Sequence, residues 1–240
     1  MREFELGLLA VVLAALLVHL LRRARAASAR RTVSRLGYFD AVAVLFADAR
    51  TSVLSHGFPR LAGRWRDRAF TLSALPDALG YRKLPALWVS ITLAEPQPVA
   101  GTLDILMRPS GLEPFTGFAA LPCGLAPPAG CPEHAAIKSD RPVPPVAAAD
   151  LAPHLAVFDD PAVKELLITP RGLRVTLLAE EADRTRYLLF RDAELGAVPL
   201  SPDRLVPLLD RLIALADSLR EANVPPADAA LDRRHPRQPA

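Results

Sequence analysis

Two cysteines in 240 residues, Cys123 and Cys131, are too few for a disulfide-built scaffold. Aromatic residues make up only 6% of the chain, and the 12 glycines include no Gly-rich cradle of the G-x-x-x-x-G-K-[ST] kind. No G-x-S-x-G elbow exposes a serine nucleophile, and no established zinc spacing of Cys and His occurs. These absences lower the expectation of nucleotide, hydrolase or zinc chemistry. Because distant residues can still converge in space, they do not abolish it.

Charge is also scarce where a nucleic-acid binder would need it. The net charge is +3, but residues 1–35 hold seven arginines against Glu3 and Glu5, which leaves the rest of the chain at −2. A domain that binds phosphate backbones normally carries its own basic surface, so no nucleic-acid partner is expected.

What the sequence does have is a long apolar run near its start. Leu6 to Leu21, LGLLAVVLAALLVHLL, is uncharged, and Phe4 extends the apolar span to ~27 Å as a helix. A signal peptide places basic residues before its apolar core. Here Glu3 and Glu5 precede the run, and Arg22, Arg23, Arg25, Arg30 and Arg31 follow it. The pattern predicts one uncleaved transmembrane helix. The bias of Arg and Lys toward cytoplasmic flanks puts the amino terminus outside and the large domain inside, in a bacterial inner membrane. The same arginines are candidates for contact with anionic lipid headgroups.

Beyond the anchor and its arginine-rich flank (1–35), the sequence reads as one globular α+β domain over 36–224 and a disordered tail over 225–240. Phe39, Val42, Phe46, Ala49 and Val53 recur at intervals of three and four, which predicts a helix over 36–56. Arg60, Arg64, Arg66 and Arg68 then crowd around Trp65, a second candidate site for an anionic headgroup or phosphate. Alternation predicts strands at 70–75, 87–93 and 102–107, and again at 166–169, 173–179 and 185–191. They are expected to form one antiparallel sheet or two meanders packed on helices; the loose echo between LWVSITLAE and LRVTLLAEE would fit a duplication but is read as chance similarity between amphipathic hairpins. Between them, residues 109–161 are proline-rich and read as a covering loop with a short helix near 147–155. A final helix over 201–222 follows from Ser201, Pro202 and the stripe Leu205, Leu208, Leu209, Leu212, Leu215, Ala216 and Leu219.

The residues therefore point to a membrane-tethered, non-catalytic interaction or scaffold protein needing no cofactor. Its expected partners are lipid around the helix and either another protein or a second copy. The rivals are a thiol- or metal-dependent enzyme built on Cys123, Cys131 and His134, because thiolate and imidazole suit zinc, and an anionic lipid- or phosphate-binding module using Arg60, Arg64, Arg66 and Arg68.

Overall fold

The computed structural model describes residues 2–78, 84–190 and 193–223, with backbone alone for 2–6, 8–10, 186 and 190. The expected tail, 225–240, lies outside the described residues. Helix α1 is a single helix from Arg2 to Leu36, so the expected boundary at residue 35 falls in its last turn. Its sequence is rich in Leu, Ala and Arg, strong helix formers, and has no internal proline. Among the described residues no helix is long and apolar enough to cross a membrane. Part of the run from Leu6 to Leu21 belongs to the residues described by backbone alone.

The helix expected over 36–56 does not form. After Gly37 the chain makes the one-turn helix α2 (Asp40–Ala43) and then the edge strand β1 (Ala47–Val53). The apolar spacing is real only at its start. Phe39, Val42 and Phe46 are buried, whereas Ala49 and Val53 are exposed on β1 and gain nothing from continuing a helix. The last helical turn closes at Phe46, and Asp48, at φ 53, sits in a bulge between β1 and β2 (Pro59–Trp65). Gly63 on β2 permits the crossing, because a β-carbon there would lie 2.7 Å from that of Phe46.

Next come β3 (Arg68–Asp77), β4 (Ala86–Leu93) and β5 (Leu103–Met107). A 3-10 turn over Phe118–Ala120 leads to β6 (Cys123–Leu125) and β7 (Ala135–Ser139). Helix α3 (Ala148–Leu151) runs on into a 3-10 helix over Ala152–Asp159, in agreement with the short helix expected there. The chain closes with β8 (Val163–Thr169), β9 (Gly172–Glu181), α4 (Arg184–Phe190) and α5 (Pro202–Ala222).

The class is α+β, as expected, with one fully antiparallel nine-stranded sheet in the order β1-β2-β3-β4-β9-β8-β5-β7-β6. It is not two related meanders. Strand β5 pairs with β8 and β7 instead of β4, because the β8–β9 hairpin inserts beside β4. The segment expected as a strand over 185–191 forms α4, with Tyr187 N–H donating to the Asp183 carbonyl at 2.9 Å. The two apparent hairpins behind the internal echo therefore do not exist.

One sheet face, which includes Leu72, Val89, Ile91, Val175 and Ile168, packs under α5. All seven residues of the α5 stripe are buried, each Leu contributing ~1.5–3 kcal/mol. Ser201 holds the N-cap place, but its side chain makes no capping hydrogen bond. Arg68 ties β3 to α5 by pairing with Asp217 and with Glu95, the latter at 2.6 Å. Arg220 pairs with the same two acids. The opposite face is covered in part by the stretch after β5, where Phe115 and Phe118 pack with Leu106 against Leu75, Trp88 and Ala136. Within the proline-rich middle, Phe115 and Phe118 thus cover part of this face, and the segment also supplies two strands, β6 and β7.

A β-carbon at Gly172 would collide with the Leu93 backbone oxygen at the β4–β9 junction. Gly172→Ala is expected to destabilise the protein by about 1–3 kcal/mol in chemical denaturation, because the obstacle is backbone and cannot swing away. Gly124→Ala, whose β-carbon would meet nothing within 4 Å, is the control and should change stability far less.

Candidate functional site

Helix α1 leaves the domain as an exposed rod. Val11, Val12, Leu13, Leu16, Leu17, Val18, Leu20 and Leu21 are all exposed, Val11 at 66% and Leu17 at 58%. At 100° per residue they point in every direction around the axis, so this part of the helix is apolar all round instead of amphipathic. Arg22, Arg23, Arg25, Arg30 and Arg31 follow and are likewise distributed about the axis as a collar.

The end of α1 is clasped by the domain. The Ser34 hydroxyl donates to the Gly196 carbonyl at 2.8 Å, and Arg35 Nε donates to the Leu195 carbonyl at 3.4 Å. The Arg35 guanidinium also lies over the Phe58 ring, 5.3 Å from its centroid. The clasping segment is itself held by Glu180 at the end of β9, whose carboxylate accepts the Gly196 N–H at 2.8 Å and hydrogen bonds from the Ala197 and Val198 backbone. Burial raises the Glu180 carboxyl above its usual range in spite of these donors. Tyr38, fully buried below the clasp, accepts the Leu200 N–H at its carbonyl, 3.0 Å away. Its hydroxyl is held well above the usual phenol range by burial and then by the Glu180 charge, with Arg204 opposing.

The second arginine group is dispersed, not gathered. Arg60 and Arg64 lie on the exposed side of β2, where Arg64 pairs with Asp48 at 2.9 Å. Arg66 turns the other way to Asp210 on α5 at 3.1 Å, and Trp65 Nε1 donates to the same carboxylate at 3.1 Å. Arg68 is held by Glu95 and Asp217. Three of the four thus serve the packing of β2 and β3, and no shared anion cradle forms.

Cys123 and Cys131 are free thiols, each partly buried. Cys123 pairs in register with Ser139 on β7, while Cys131 packs beside the core, where burial raises its thiol pKa. His134 lies in the next turn, closed by Ala135 N–H to the Pro132 carbonyl, and its own carbonyl accepts the Arg108 N–H at 2.8 Å. Among the described residues no group of three or more His, Cys, Asp or Glu side chains could hold a metal ion.

The strongest electrostatic feature lies on the sheet face opposite α5. Glu165 on β8 is completely buried and receives Arg174 bidentately, Nε and Nη2 both at 3.0 Å. The Thr176 hydroxyl donates to it at 2.8 Å, and Ser90 extends the chain to Thr176 at 3.1 Å. On β5, Asp104 is 1% exposed, with Thr116 Oγ1 at 3.0 Å from its Oδ2. Burial, and after it the Glu165 charge, push the Asp104 carboxyl up to about 7. Beside this network a cleft of ≈ 380 Å³ is lined by Asp77, Trp88, Glu113, Lys164, Leu178 and Glu181, among others. Sequence reasoning passed over both buried acids. The only signal was a carboxylate inside largely apolar strands, TLDILM and VKELLIT, the second with Lys164 beside it.

Arg174→Met is expected to cost about 3–5 kcal/mol in thermal or chemical unfolding, because it leaves the Glu165 charge buried and unpaired. The double variant Glu165→Leu with Arg174→Met should recover much of that loss. Compared with known proteins, the chain matches no family model and no curated sequence.

Proposed function

We propose that the protein is a single-pass, membrane-tethered scaffold or interaction module of bacterial type. In this reading α1 lies in the inner membrane with its amino terminus outside, and the α+β domain faces the cytoplasm. The observation that carries it is the exposed apolar surface all around α1, on a helix continuous with the domain. Such a surface has no favourable place in water, and none of the described residues of the domain covers it. Val11–Leu21 alone rises only ~16 Å, so the proposal draws on the full sequence run from Phe4, ~27 Å, to approach the ~30 Å hydrocarbon core.

The arginine collar supports the orientation and the partner. Cationic residues just past a span favour the cytoplasmic side and attract anionic lipid at about 1 kcal/mol each. A collar distributed around the axis suits a helix that crosses the surface steeply. An interfacial helix would instead carry its arginines on one side. The clasp at Ser34 and Arg35 joins this anchor to the domain without a flexible linker, which suits presentation of a surface at fixed height. The non-catalytic part of the reading rests on the sequence, where no motif for nucleophile, phosphate or metal chemistry stands out.

The full chain is expected to remain in the membrane pellet after alkaline carbonate washing, and a variant lacking residues 2–21 is expected to move to the supernatant. Release of the full chain by carbonate would contradict the tether. Turnover of an ester, phosphate or nucleotide panel by purified protein, abolished in Cys131→Ser, would replace the scaffold reading with the thiol enzyme.

A further inference from the structure

The charge balance around Asp104 does not close. Two carboxylates, Asp104 and Glu165, are buried on adjacent strands at 1% and 0% exposure, and Glu165 takes the bidentate grip of Arg174. Thr116 supplies a hydrogen bond to Asp104 Oδ2, while Oδ1 is buried with no partner among the described residues. Among the described residues the other neighbours bring no spare cation. On β8, Leu167 stands opposite Asp104, and Lys164 donates to the Arg108 carbonyl at 2.6 Å with Glu113 at 3.9 Å. On β7, Lys138 is the register partner of Asp104, but its Nζ lies 5.2 Å from the Phe118 ring centroid and 3.5 Å from the Ala119 carbonyl. A second negative charge at this place would be buried without compensation, which costs several kcal/mol.

Thr116 belongs to the segment that covers this face. Phe115 stacks on Trp88 at 4.7 Å between ring centroids, and Phe118 packs in the same small cluster with Leu106. The segment is tied at its start, where Ser110 N–H and Oγ donate to Glu113 Oε1 at 2.6 and 2.7 Å. Its middle is held by the two aromatic rings and by Thr116, whose Oγ1 also accepts the Phe118 N–H at 3.1 Å. By contrast, β5 is paired on both sides, to β8 and β7. Hydrating Asp104 by moving the cover therefore disrupts far less than separating strands.

We propose that residues 112–120 form a strap that closes over this sheet face while Asp104 is protonated and lifts when Asp104 ionises, uncovering Trp88 and Leu106. A protonated Asp104 can donate from Oδ2 to Thr116 Oγ1, which has lone pairs for both this bond and the Phe118 N–H, so the closed state buries no uncompensated charge and leaves only the neutral carbonyl Oδ1 unpaired. An ionised Asp104 faces Glu165 across the strand pair with Arg174 already engaged. Burial and Glu165 hold the Asp104 carboxyl near 7, above its unfolded range, so the closed state binds the extra proton. The stability this group lends is fully present below about pH 4 and is lost as pH rises through 7. The strap thus opens on the alkaline side of neutrality. The device is independent of membrane attachment, because every group in it lies in the domain.

The test uses the full chain in detergent micelles with Trp65→Phe, which leaves Trp88 as the only tryptophan. Acrylamide quenching of Trp88 is expected to rise as a single titration with its midpoint near pH 7. With Asp104→Asn the profile should be flat. With Glu165→Gln, Arg174 is free to pair with Asp104, and the midpoint should fall by about one unit or more. A flat profile in the Trp65→Phe parent, or the same rise in Asp104→Asn, would overturn the proposal. Should Asp104→Asn fail to fold, the Glu165→Gln profile decides, and an unmoved midpoint would overturn it equally.

Discussion

The arrangement depends first on the clasp between the end of α1 and the segment over Leu195–Val198. A 35-residue helix with an apolar first half is, on its own, a stalk with no preferred direction. The Ser34 and Arg35 hydrogen bonds, the Arg35 cation over Phe58 and the burial of Tyr38 convert it into an extension of the domain. Glu180 is the hub, since its carboxylate gathers the backbone donors that shape the clasping segment and stands at the end of a central strand. From Arg22 to Ser34 the helix rises ~18 Å, so a collar at the lipid surface would hold the clasp at that height.

The sheet meets a second constraint, that a nine-stranded antiparallel sheet has two faces to cover. Helix α5 covers one with a continuous leucine stripe, flanked by the pairing of its Asp210 and Asp217 with Arg66 and Arg68. The other carries the Ser90, Thr176, Glu165, Arg174 and Asp104 line, which is costly to bury and specific in what it accepts as a lid. Glu165 and Arg174 satisfy one another, and Asp104 is left dependent on Thr116. One face therefore serves stability and the other is poised to respond. That asymmetry fits a module whose work is contact, although the two features are separable and each stands on its own residues.

The sequence was most legible where burial follows a simple period. The α5 stripe and the alternation in β3, β4, β8 and β9 correspond residue by residue to the packed face. Pairing order was not legible, because nothing in LWVSITL states that its neighbour lies some 80 residues on in LRVTLLA and not in TLDILM. The 36–56 stripe misled because Phe39, Val42 and Phe46 reach the core through a turn, while the next two apolar positions fall on an exposed edge. TRYLLF has strand-forming residues, yet it lies past the end of β9 and forms a short helix with Leu188 and Leu189 exposed. Of the candidate sites, the arginines after the apolar run lie on one continuous helix, and their contact with lipid is a proposal. The grouping of Arg60, Arg64, Arg66 and Arg68 dissolved because the chain reverses at Arg66 and Asp67, both at positive φ, and the register partner of Arg68 is Trp65, so Arg68 faces away from Arg60 and Arg64. Asp104 and Glu165 escaped notice because their importance comes from neighbours on other strands.

The measurement that bears most directly on this account is a topology assay of the full chain in a bacterial host. The carboxy terminus is fused separately to a reporter active only outside the cytoplasm and to one active only inside. The account predicts activity from the inside reporter alone, with the arginine collar on the same side as the domain. Activity from the outside reporter alone would contradict it, placing the domain in the cell envelope and reversing the role assigned to the collar.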